Sequence, residues 1–430
     1  MNKKLTYILI FSLLIILIVV MVKKYKILEK YNPNKIYYFD NNATTFVYEK
    51  SILDEITKWI NCGNPSNNLH IVGKLAHGKI EECREFIAND LQVDSDDILF
   101  TGSATEANNI IIQGIVGKYL KQHPTEIYTI ITTNFEHPSV LNIFKHYQEV
   151  GSNRIDVKIV NICTDPSNPY YGSISPVDVE NSIKYAEHKV ILLSVMYANN
   201  ETGAIQNIAE IGKITKKNNV FFHSDVTQAI GKFIIHPKEL NVDSITFSGH
   251  KFHAPKGIGV LYMKQKCDIE KLCYGGEQEK SYRAGTENVA FIVALTMAIK
   301  CVHTNRVEKT KELYKLRNYI KKELSNINID VIEPKYGVTP NTLLIIVKGI
   351  DTCNKSFAIE LSNKYNVCLG ISSACQTAEH KSHVLEAMKL DEVNKDKVIR
   401  ISMSDYTTMG ECKYLVDCFK KLVEKHRKND

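Results

Sequence analysis

Cysteine is sparse in this chain and unevenly spread, with eleven in 430 residues and no C-x-x-C pair. That spacing excludes a disulfide framework and a zinc ribbon, so a reducing compartment is the expected home and no metal site is expected. Charge of one sign is scarce as well. The formal net charge is +6, but residues 1–40 hold seven lysines against two acids, leaving 47 basic and 46 acidic residues in the remaining 390. A body so close to neutral lacks the basic surface that nucleic-acid binding requires, and direct nucleic-acid contact is excluded. Repeats and low-complexity tracts are missing too. Hydrophobic residues at 44% with 24% charge exclude a disordered or fibrous chain, and the length implies two or three compact units.

What is present begins with an apolar run. Residues 5–22 are interrupted only by Thr6, Tyr7 and Ser12 and are flanked by Lys3, Lys4, Lys23, Lys24 and Lys26. The run is long enough to span a bilayer and lacks a small-residue cleavage site before the lysines. The expectation is an uncleaved N-terminal membrane anchor over 1–24 with a tether over 25–36. The slight lysine excess after the run points the body to the cytosol.

From residue 36 onward, short β-branched runs alternate with amphipathic segments. Strands are expected at 98–100, 127–132, 158–160, 190–195, 220–223 and 244–247, the pattern of a mainly parallel sheet covered by helices. After about residue 295 long polar helices replace this texture, with strands at 342–347 and 398–403. We expect a large α/β unit over 37–295 and a smaller α+β unit over 296–430.

Three places could carry chemistry. The strand at 98–100 runs into Thr101-Gly102-Ser103-Ala104-Thr105 and a helix, a turn whose free N–H groups suit an anion, although ordinary N-capping is the better account of this feature taken alone. The run ending at His223 is followed by Ser224-Asp225, with Thr227-Gln228 beyond. A carboxylate past a strand end can pair with a cationic ring nitrogen or simply cap a helix. Ser248-Gly249-His250-Lys251 then offers phosphate ligands beside an amine able to form a Schiff base. Lys256 is the rival, but it follows Pro255 in a Gly-rich turn.

The strings YFDNNATT (38–45), GNPSNNLH (63–70), TGSATEANN (101–109), EHPSVL (136–141), ANNETG (198–203), HSDVTQAIGK (223–232), SGHKFHAPKGIG (248–259), RAGTENV (283–289) and SSAC (372–375) resemble, in order, the NifS-type cysteine desulfurases. These are pyridoxal-phosphate enzymes of aminotransferase class V, and the match covers about residues 37–425. The resemblance implies the class V (type I) PLP fold and a homodimer with one pyridoxal 5'-phosphate per subunit. It also implies conversion of L-cysteine to L-alanine, with sulfur passed to an acceptor or scaffold protein. Selenocysteine lyase, another class V lyase, or an inactive membrane-tethered scaffold are the alternatives.

By the same resemblance Lys251 binds the cofactor and later shuttles a proton. Asp225 holds the ring nitrogen protonated, and His137 stacks on the ring. Gln228 and Asn200 address the phenolic oxygen, while Ala104, Thr105, Ser248 and His250 form the phosphate cup. Thr286 reaches the neighbouring subunit's phosphate, Arg400 and Asn42 bind substrate, and Cys375 receives the sulfur as a persulfide. One departure stands out: the family reads S-L-G-R-F where this chain has Ser402-Met403-Ser404-Asp405-Tyr406, leaving local backbone and charge there open.

Overall fold

The computed structural model describes residues 36–149, 153–264, 267–327, 329–371, 382–390 and 397–427. Strands β1 (Tyr37–Phe39), β2 (Ile98–Thr101), β3 (Tyr128–Thr133), β4 (Ile155–Val160), β5 (Lys189–Ser194) and β6 (Phe221–Asp225) come first. They are followed by β7 (Ser244–Ser248), β8 (Gly259–Met263), β9 (Ile329–Ile332), β10 (Thr342–Val347), β11 (Val367–Leu369) and β12 (Val398–Ser402).

Seven of these form one sheet in the order β2-β8-β7-β6-β5-β3-β4. Every pair from β7 to β4 is parallel, and only β8 runs against its two neighbours. All six residues of β3 and all five of β7 are buried, as expected of strands covered by helices on both faces. The covering helices follow the sheet's logic. Helix Ile208–Asn218 starts at Asn207, whose side chain accepts from the Glu210 N–H, and stops at left-handed Asn219. That stop returns the chain directly into β6. Helix Val289–His303 is apolar on nearly every side and runs through the main core.

The second sheet, β12-β10-β9, is antiparallel. Its middle strand faces two ways, because successive side chains point to opposite sides. Leu344 and Ile346 of β10 join the main core, while Leu343, Ile345 and Val347 join a second core with Leu316, Phe357 and Phe419. β1 pairs in parallel with β11, which puts Phe39 in that second core. The residues just after β1 therefore start where the two cores meet.

The N-terminal expectation requires a correction. Among the described residues no helix is long and apolar enough to cross a membrane, and residues 5–22 lie outside the described residues. The membrane-anchored localisation with a cytosol-facing body is withdrawn.

One glycine tests the packing that aims β6. A Cβ at Gly212 would lie 2.0 Å from the Leu240 carbonyl oxygen, in the short helix Pro237–Leu240. Gly212→Ala is expected to destabilise the protein by about 1–3 kcal/mol and lower Tm by several degrees in a thermal melt. An unchanged Tm would contradict this account of the helix contact.

Candidate active site

Four adjacent parallel strands end on one side of the sheet, and each delivers functional groups at its last residue or in the loop beyond it. β7 leads into His250 and Lys251, β6 ends at Asp225, β5 is followed by Asn200 and Glu201, and β3 by Glu136 and His137. A crevice beyond strand carboxyl ends is the usual ligand position in such sheets. β2 ends on the same side at Thr101, and Ser103 just beyond it caps the start of helix Ala104–Gln122. The Ala104 N–H donates to Ser248 Oγ at 2.7 Å. Gly259 on the strand between permits this approach, since a Cβ there would sit 2.6 Å from the Ser103 carbonyl carbon.

Asp225 is buried and fixed from two directions. The Thr227 N–H donates to its Oδ1 at 2.9 Å, and Asn108 Nδ2 donates to its Oδ2 at 3.1 Å. Asn108 is itself fully engaged: Nδ2 also donates to Ser139 Oγ, and Oδ1 accepts from Thr246 Oγ1 at 2.5 Å and faces His223 Nε2 at 3.1 Å. Because that oxygen only accepts, His223 carries its proton on Nε2, and Nδ1 accepts from Ser244 Oγ. Burial pushes His223 down to about 4, so the ring stays neutral.

Lys251 Nζ donates to the carbonyls of Asn42 and Ala43, both at 2.8 Å. Gln228 Nε2 reaches the same Asn42 carbonyl at 3.1 Å. The chain after β1 thus wraps the lysine turn, reinforced by the Thr45 N–H donating to the His250 carbonyl and by Thr44 Oγ1 beside His250 Nδ1. Burial and the Lys251 charge push His250 down to about 4. His137 Nδ1 accepts from the Ser139 N–H, and burial lowers its affinity for a proton. With Thr105, it lines an open concavity of about 600 Å³.

Arg400, on β12, is buried yet incompletely partnered. Nη2 donates to Asp40 Oδ1 at 2.7 Å and Nη1 to the Asn200 carbonyl at 3.0 Å, while Nε finds no acceptor among the described residues. Gly370 lies against this pair, for a Cβ there would be 2.5 Å from Asp40 Oδ1 and 2.8 Å from Arg400 Nε. Asn42 donates to the Asn200 carbonyl and to Thr342 Oγ1 and accepts from Asn341, so it joins the two cores at the site.

The described residues thus gather Lys251, Asp225, His137, Ala104, Ser248, His250, Gln228, Asn42, Asn200 and Arg400 around one end of the sheet. Thr105 is on its rim. Thr286 is exposed in the turn before helix Val289–His303, with no side-chain hydrogen bond to the others among the described residues. Cys375 lies outside the described residues. The open question at Ser404-Asp405 has a local answer: Asp405 Oδ1 meets His253 Nε2 at 2.7 Å and Oδ2 meets Lys309 at 3.1 Å.

Sequence reasoning missed the acids that organise this site. Asp40 orients Arg400. Glu201 accepts from Ser382 Oγ at 2.8 Å and is pushed up to about 7 by burial. Glu136 is wholly buried, accepts from Thr133 Oγ1 and the Met196 N–H, and is pushed up to about 8 by burial. Each sits inside a motif string, and that placement was the available signal.

Comparison with known proteins agrees with this geometry. The family model "Aminotransferase class-V" matches residues 37–415. The chain is 34% identical to a "Cysteine desulfurase" of Nostoc sp. over 401 residues, covering 91% of this chain and 93% of that protein. It is 32% identical to a "Cysteine desulfurase IscS" of Dictyoglomus turgidum, covering 91% and 95%. Among solved structures, a "NIFS-LIKE PROTEIN" superposes with TM-score 0.80 at 32% identity, over 90% of this chain and 99% of that one. A structure titled "SspA in complex with cysteine" superposes with TM-score 0.70 at 28% identity, over 86% and 99%.

Glu136 yields a pH prediction. Its folded value lies above the ordinary carboxyl value of 4.5, so the stability it permits is full below about 4.5 and is lost as pH climbs through about 8. Glu136→Gln in the cofactor-free protein is expected to remove much of that decline. Its unfolding free energy from urea titration at pH 8.5 should exceed the wild type's by an amount on the order of a few kcal/mol. Parallel stability curves for the two proteins would contradict the assignment.

Proposed function

The chain belongs to the aminotransferase class-V family and is a cysteine desulfurase of the NifS type, and from that premise we propose how its residues divide the work. The family depends on pyridoxal phosphate, and the donor set suits that group. An amine, Lys251, and a buried carboxylate, Asp225, stand at neighbouring strand ends whose register pairs Asp225 with Thr246. A helix start with Ser248 and His250 beside it suits a phosphate. When bound, the cofactor supplies an electron sink for the substrate's α-carbon, provided its ring nitrogen stays protonated.

Every other task falls to the chain. Asp225, locked by Asn108 and the Thr227 N–H, holds the proton on the ring nitrogen. Lys251 attaches the cofactor and then takes and returns the proton at the substrate's α-carbon. His137, neutral through burial, moves the proton at the substrate sulfur. Arg400 takes the substrate carboxylate, its Nε–H, without an acceptor among the described residues, being a donor that such a group would satisfy. The Cys375 thiolate attacks the substrate sulfur: an S–S bond forms at Cys375, the carbon–sulfur bond breaks, and its electron pair stays with the three-carbon fragment, which leaves as alanine after gaining a proton. The persulfide is then handed to an acceptor protein.

L-cysteine as substrate is supported by the relatives' names and by the neighbour solved with cysteine. A homodimer is supported by apolar side chains left in the open at one helix start: Leu69 is 93% exposed, Ile71 73% and Leu75 59%. The observation that carries the reading is the convergence of Lys251, Asp225 and Arg400 on one end of the sheet.

The test uses the full chain loaded with pyridoxal phosphate. A visible absorption band is expected, with alanine and sulfide released together from L-cysteine in the presence of a thiol reductant. Cys375→Ser should keep the band and lose sulfide release by at least about a hundredfold, the scale of losing a catalytic nucleophile. A Cys375→Ser enzyme with undiminished turnover would favour a lyase that needs no thiol, and a colourless wild type would favour an inactive scaffold.

A further inference from the structure

Beside Lys251 the structure contains a small cavity of about 40 Å³ whose wall includes Lys232, Lys251, His253, Lys309 and Asp405. That volume holds a water molecule or two. Lys232 is the unexplained member. Its amine is carried at the end of the turn after β6 and donates to the Gln228 carbonyl at 3.0 Å. Gln228 in turn donates through Nε2 to the Asn42 carbonyl, the same oxygen that receives the Lys251 amine at 2.8 Å. Two lysines therefore share one cavity and one chain of acceptors. Asp405, the acid on the wall, is engaged by His253 Nε2 and by Lys309.

We propose that Lys232 is a positioning residue that acts through Lys251, its neighbouring positive charge making the cofactor-bearing lysine release its proton more readily. The physical reason is a shared desolvated space. Two ammonium ions facing the same cavity repel each other with little water to screen them, and a proton on one weakens the hold of the other. Burial already pushes Lys232 down to about 8, with Lys251 adding to the fall and Asp405 opposing it. Other titratable groups near Lys251 include His250 on its own turn, His137, and Asp225 at the end of the neighbouring strand. None of these shares the Lys232 cavity.

This inference rests on the reading of Lys251 as the cofactor-binding lysine, and the test separates the two. The pyridoxal-phosphate holoenzyme is titrated from acid to alkaline pH while the visible band of the lysine-bound cofactor is followed, for the wild type, Lys232→Met and Lys232→Arg. The expected result is a titration midpoint about half a pH unit or more higher in Lys232→Met and unmoved in Lys232→Arg. A merely structural role would lower Tm without moving the midpoint. A wild type with no band overturns the reading of Lys251. A wild-type band with a Lys232→Met midpoint unchanged or lowered overturns only the inference. A Lys232→Met protein that fails to fold also overturns it, because an isosteric apolar chain should tolerate the loss of a buried charge.

Discussion

A carboxylate held rigid at the end of a buried strand is the constraint on which the rest of the site depends. Asp225 terminates β6, and its burial would be costly without donors on both oxygens. Asn108 supplies one, and it can do so only because Thr246 and a neutral His223 occupy its own oxygen. The network runs from Ser244 through His223 and Asn108 to Asp225 with every partner satisfied. Such a fully connected buried network specifies a single geometry. The carboxylate is thereby fixed at the end of β6, tied on one oxygen to helix Ala104–Gln122 and on the other to the turn that follows the strand.

A second constraint joins the two cores. The stretch 40–45 leaves β1, passes over the Lys251 turn and meets β12. In doing so it gives backbone carbonyls to Lys251, a carboxylate to Arg400 and a side-chain amide to Asn200, Asn341 and Thr342. Arg400 and Lys251, which belong with different sheets, are thus registered against each other by one short segment. A shift of either sheet would disturb both, which explains why so many polar groups are concentrated there despite the desolvation they incur.

The strands of the parallel sheet were legible because β-branched runs such as 128–132 are buried on both faces, and the motif strings mark the turns that follow them. β8 was not legible from periodicity: it is five residues long, opens with glycine, and owes its place to pairing with β2 and β7 rather than to local pattern. β1 and β11, three residues each, exist only as each other's partners. The organising acids were obscure for a related reason. Asp40 and Arg400 are 360 positions apart, and no local rule links them. The Asp405 departure looked like a lost cation, yet in three dimensions the acid lies between His253 and Lys309, a compensation visible only once helix Arg306–Ser325 is placed beside the lysine turn.

The account stands on Lys251, among several nearby lysines, being the one that grips the cofactor opposite Asp225. Borohydride reduction of the pyridoxal-phosphate-loaded protein, followed by peptide mapping, reads this directly. The account predicts a single stable adduct on Lys251, diminished when Asp225 is replaced by alanine. An adduct on Lys232 or Lys256, or labelling spread over surface lysines, would contradict it.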